Sequence, residues 1–161
     1  MMEQQEASPD VVMTRIGQAI MLLHGGDREE ARNRFGALWA EIGERGDALH
    51  RCTLAHYMAD TQDDPGDELV WDLRALSAAQ VLTDERAAQH RDALAVRAFY
   101  PSLHLNLAAD YVKLRRPAAA RIHLDRAWQA SAVLADDDAD DGYGGGVRAA
   151  IGRLERRLLE L

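Results

Sequence analysis

The chain has 161 residues, 47% of them hydrophobic and 29% charged, with a formal net charge of −8 at pH 7. That length and balance fit one globular domain able to bury a core without disulfide or metal staples, and no window nears the ~18 apolar residues that a membrane span needs. The acidic balance repels nucleic acid and anionic membrane over most of the surface, and the lone Cys52 excludes an intramolecular disulfide.

The first residues, MMEQQEASPD, have neither the basic start nor the apolar run of a signal peptide, and a single cysteine fits a reducing compartment. A cytoplasmic location is therefore expected. Lys113 is the sole lysine among abundant arginine and alanine. We read this as the codon usage of a GC-rich bacterial genome and not as phosphate-binding chemistry.

Apolar residues recur three and four apart almost throughout, and β-branched residues nowhere alternate over a strand-length run, so an all-α fold is expected. A first helix over 10–24 carries Val12, Ile16, Ala19, Ile20 and Leu23 on one stripe and ends at Gly25-Gly26. Asp27 is placed to cap a second helix over 28–44, striped by Ala31, Phe35, Leu38 and Ile42. Gly46-Asp47 punctuates again before a helix over 48–61. After the insert QDDPGD, a helix is predicted over about 68–82, with Leu69, Trp71, Leu73 and Leu76.

Thr83-Asp84-Glu85 has the composition of a cap and acidic first turn, predicting an inserted helix over 84–98 that Phe99-Tyr100-Pro101 breaks. Two more helices follow within 101–134. The run ADDDADDGYGGG reads as an acidic linker over 135–146, with Gly142 to Gly146 as a hinge. Finally, Val147, Ile151, Leu154 and Leu158 stripe a helix over 147–161 that is expected to close the end of the stack.

An internal repeat emerges from these elements. Ala19, Leu22, Ala31, Phe35 and Leu38 precede Ala108, Tyr111, Ala120, Leu124 and Ala127 by a constant 89 residues, and every pair keeps its apolar character. This small, large, turn, small, large pattern resembles the tetratricopeptide repeat, a helix-turn-helix unit of about 34 residues. The resemblance implies a single domain over 1–161: a helical-hairpin solenoid of about three repeats, at approximately 12–45, 48–85 and 101–134. The middle copy, with Ala55, Met58, Trp71 and Ala78, is degenerate. Its longer turn and the added helix predict that it does not stack regularly on the third.

Candidate chemistry is sparse. His50, Cys52 and His56 lie on one helix, but a zinc site needs further donors converging from elsewhere, and no spacing guarantees them. Cys52 has no neighbouring motif that would activate it as a nucleophile. The aspartate run fails the calcium-loop pattern at Ala139 and Arg148. The glycine run follows no strand and sits beside carboxylates, which repel a phosphate. Trp39, Trp71 and Trp128 lie at core spacing. We expect no catalytic residue, metal or cofactor.

The resemblance implies an inner surface lined by the first helix of each pair, able to hold a peptide or partner helix. It puts Met13, Ile16, Ile20 and Leu23 there from the first repeat. Leu49, Cys52, His56 and Ala59 come from the second, and Leu105, Ala109 and Val112 from the third. Such a groove is apolar, unlike the basic and asparagine-lined clamps that hold chaperone tails. A protein or peptide partner, or a second copy forming a homodimer, is expected there. The alternative is a small regulatory or sensory subunit that holds a signalling peptide or small ligand.

Overall fold

A computed structural model describes residues 2–85, 90–137 and 142–161, with side chains within 11–82, 99–132 and 146–161. The described residues form helices and turns, with no strand: α1 (Met2–His24), α2 (Arg28–Ile42), α3 (Ala48–Asp60), α4 (Pro65–Glu85), α5 (His90–Lys113), α6 (Pro117–Asp137) and α7 (Gly142–Leu159).

The repeat is visible in the backbone itself. Between α1 and α2, Gly25 N donates to Met21 O, Gly26 N to Leu23 O and Asp27 N to Leu22 O, at 2.9, 3.1 and 2.9 Å. Between α5 and α6, Leu114 N donates to Asp110 O, Arg115 N to Val112 O and Arg116 N to Tyr111 O, at 3.0, 3.0 and 2.8 Å. The two turns correspond bond for bond at the same spacing of 89 residues. In each, one residue takes the left-handed conformation that closes a helix C-terminus: Gly26 at φ 93° and Arg115 at φ 59°. Burial repeats as well. Ala19, Ala31, Phe35 and Leu38 are buried, as are Ala108, Ala120, Leu124 and Ala127, while Leu22 and Tyr111 are both half-buried.

Local signals start the other helices. The Asp47 carboxylate accepts from Leu49 N and His50 N and so caps α3. Asp64 accepts from Asp67 N at 3.0 Å, with Pro65 in the first helical position, where its missing N–H is harmless. The DDPG insert is thus the start of α4, which begins earlier than the sequence predicts. Asp27 occupies the cap position of α2 but makes no side-chain capping bond.

Three expectations need correction. The inserted helix over 84–98 is not a separate element. α4 runs on through Thr83 and Glu85, residues 86–89 lie outside the described part, and α5 continues from His90 through Pro101 to Lys113. Proline removes one ladder bond, which a kinked helix can tolerate, and the buried Leu103, Leu107 and Ala108 that follow reward continuing it. The acidic linker is also shorter than 135–146. α6 reaches Asp137, α7 starts at Gly142 and only 138–141 lie outside the described residues, so Gly142 to Gly146 form a helical turn instead of a hinge. Trp128 is an exposed residue, not core.

Ile16, Ala19, Ala31, Phe35 and Leu38 form a first core cluster with Leu54 and Met58 of α3. In the second, α3 and α4 pack with the α5 residues Leu103 and Leu107. The third joins α5 and α6 to Val147, Ile151, Leu154 and Leu158. The last helix therefore buries its stripe against the third hairpin, as its periodicity predicts. α1 packs on α3 and α5 on α7, but α3 and α5 make no comparable contact among the described residues. The second and third hairpins meet mainly through α4 against α5.

Candidate functional site

The predicted inner surface divides into two sets. Ile16, Cys52, Ala59 and Val112 are buried in the cores and unavailable to a partner. The sequence pattern overstates their exposure because α1 and α5 are packed on two sides, by their hairpin partners and by α3 or α7. Met13, Ile20, Leu23, Leu49, His56, Leu105 and Ala109 remain half-buried.

Polar groups collect where α3, α4 and α5 converge. Glu68 and Asp72 stand one turn apart on α4, Asp110 faces them from α5, and their ligand atoms lie within 4.8 Å of one another. Asp72 and Asp110 are each 1% exposed. Asp72 Oδ1 and Asp110 Oδ2 have no hydrogen-bond partner. An unmet buried polar atom costs about 1–3 kcal/mol, so this is an unfavourable arrangement for an empty core. Burial, strengthened by the carboxylate of Asp110, pushes the Asp72 carboxyl far above its ordinary range; burial raises Asp110 as well. Lys113 donates to Glu68 Oε1 at 2.8 Å, closing one edge.

Between α3 and α5, His56 Nδ1 lies 3.4 Å from Asn106 Nδ2, and its ring packs edge-on to Tyr57 and Phe99. Burial lowers the His56 pKa and the nearby Asp60 carboxylate opposes this.

Sequence reading missed the carboxylate trio. Glu68 and Asp72 fall four apart on a helix, which reads as a wet face. The available signal was Asp110, which stands 89 residues after Met21 and so is a carboxylate at a matched apolar position. Met21 is exposed, whereas Asp110 is covered by α4, an element with no counterpart in front of α1.

Four rings form a second feature. Tyr100 stacks on His104, His104 on His123, and His123 on Tyr111, with the two histidine Nδ1 atoms 3.1 Å apart. Burial, then the proximity of His123, lowers the His104 pKa to about 4. His50 is buried, and burial pushes the Cys52 thiol up to about 12, far from a reactive thiolate.

No family model matches this chain, and no curated protein or solved structure shows significant similarity to it. No helix among the described residues is long and apolar enough to cross a membrane.

Proposed function

We propose that this chain is a protein-interaction module of stacked helical hairpins, similar in plan to tetratricopeptide proteins, that acts in the cytoplasm. It holds an amphipathic helix of a partner along the inner side of α1, α3 and α5. The observation that carries this reading is that Met13, Ile20, Leu23, Leu49, Leu105 and Ala109 keep part of their apolar surface open, on three helices that begin successive hairpins. Charge complementarity selects the occupant: with a net charge of −8, two copies face to face repel, and a helix with a basic polar face is attracted. The unreactive Cys52 supports a binding role over a nucleophilic one.

Fluorescence anisotropy with two labelled amphipathic helices tests this. They share one apolar stripe and differ only in a basic or an acidic polar face. The basic helix binds, and Ile20→Asp together with Leu105→Asp reduces its affinity at least tenfold while far-UV circular dichroism is unchanged. Equal binding of both helices, or undiminished binding by the double variant, overturns the reading. Dimerisation in sedimentation that the same variant abolishes assigns the surface to a second copy instead.

A second reading, a small regulatory subunit that holds a small ligand, is favoured by one observation, the wedge of Glu68, Asp72 and Asp110.

A further inference from the structure

We infer that Glu68, Asp72 and Asp110 form a binding site for one divalent cation of the oxygen-preferring class, Mg²⁺, Mn²⁺ or Ca²⁺. This does not depend on the inner-surface reading above.

Three carboxylates from two helices converge within 4.8 Å, and the two deepest each keep one oxygen without a partner although they are 1% exposed. Surface carboxylates satisfy themselves with water; these two are closed off by α3, α4 and α5. A buried carboxylate cluster is stabilised only by a proton, a cationic side chain or a metal ion. The only lysine, Lys113, reaches Glu68 at 2.8 Å, and Asp72 and Asp110 are left to hydrogen-bond each other, each with one oxygen still unmet. Once the ion has displaced the proton that burial holds on the Asp72–Asp110 pair, the three carboxylates and charged Lys113 carry a formal −2, which one divalent cation cancels.

The donor set fixes the class of ion. All three ligands are hard carboxylate oxygens, the donors that suit Mg²⁺, Mn²⁺ and Ca²⁺, whereas zinc and copper favour imidazole and thiolate. Asp72 and Asp110 supply the inner oxygens. Glu68, with its side chain 19% exposed, is the ligand on the solvent side, where water completes the shell. The rigid part of the site is the one-turn spacing of Glu68 and Asp72 on α4 against Asp110 on α5, so a bound ion ties the second hairpin to the third where α3 and α5 make little contact.

The test uses the full chain after chelator treatment, titrated with MnCl₂ and followed by the electron paramagnetic resonance of free Mn²⁺ and by thermal melting. One Mn²⁺ per chain is bound, and the melting temperature rises and saturates with the same midpoint. Asp72→Asn and Asp110→Asn, isosteric amides, each weaken binding at least tenfold and abolish the thermal response. Glu68→Gln, at the more open edge, weakens binding while keeping the parent's far-UV spectrum, which guards against variants that fail to fold. Lys113→Met removes the competing cation and tightens binding. Replacing Asp140 and Asp141 by Asn, in the acidic run, changes nothing. Overturning results are an absence of stoichiometric Mn²⁺ binding by the parent, or undiminished binding by the Asp72→Asn and Asp110→Asn variants.

Discussion

Trp39 of α2 and Trp71 of α4 meet edge to face, with ring centroids 5.1 Å apart at 84°. Arg74 lies over the Trp71 ring at 4.5 Å and Arg51 over Trp39 at 5.7 Å. Trp71 stands where the repeat pattern calls for a small residue, and the large ring reaches across to the preceding hairpin instead of admitting close approach. Replacing Trp71 by Ala is expected to destabilise the fold by about 3 kcal/mol. A double-mutant cycle with Trp39→Ala yields a coupling of about 0.5–1.5 kcal/mol. Chemical denaturation measures both, and a coupling of zero removes the pair as a link between hairpins.

The two matched turns differ in the residue asked to adopt the left-handed conformation. Gly26 does so freely, whereas Arg115 at φ 59° carries a side chain there. Arg115→Gly should therefore stabilise the protein by about 0.5–1 kcal/mol, and Gly26→Ala should destabilise it by about 1 kcal/mol. Space is not the reason, since a Cβ at Gly26 meets nothing within 4 Å. Opposite signs in urea denaturation confirm the account; equal signs defeat it.

Cys52 is expected to resist a disulfide reagent such as dithionitrobenzoate at pH 8 in the native protein and to react fully in denaturant. It is 1% exposed and its thiol is raised to about 12 by burial. Rapid native labelling contradicts this, because a buried thiol in apolar surroundings supplies almost no thiolate.

His104 sets an acid-side dependence. Its folded pKa, about 4, lies below the ordinary 6.5, so between these values the unfolded chain binds a proton that the folded chain refuses. That contribution to stability is present above pH 6.5 and is lost as pH falls toward 4. Raised carboxyls such as Asp110 act oppositely across part of this window, so the informative quantity is a difference. The melting temperature of His104→Gln minus that of the parent should rise steadily from pH 6.5 to 4.5. A flat difference rejects the assignment.

The hairpins were legible because small residues at close helix crossings leave a periodic trace. Ala19 and Ala108, Ala31 and Ala120 report the same geometry twice. Pro101 misled because a local rule about donors ignores the buried surface gained by Leu103, Leu107 and Ala108 when the helix continues. Ile16 and Val112 misled because periodicity reports which side of a helix is apolar and not how many neighbours cover it. Asp72 and Asp110 were unreadable singly. Their meaning lies in a meeting of α4 with α5 that joins positions 38 residues apart.

The pattern of helix neighbours also bears on how the chain reaches its fold. Every principal contact joins helices adjacent or next but one in sequence, so loop closure is brief and its entropic cost small. The two matched turns each nucleate a hairpin locally, and refolding should be rapid for a protein of this size. The meeting of α4 with α5 links the hairpins across the most interrupted part of the repeat pattern. The carboxylates it seals are therefore among the last groups to lose water, and added divalent cation acts after the hairpins have formed, slowing unfolding more than it speeds folding.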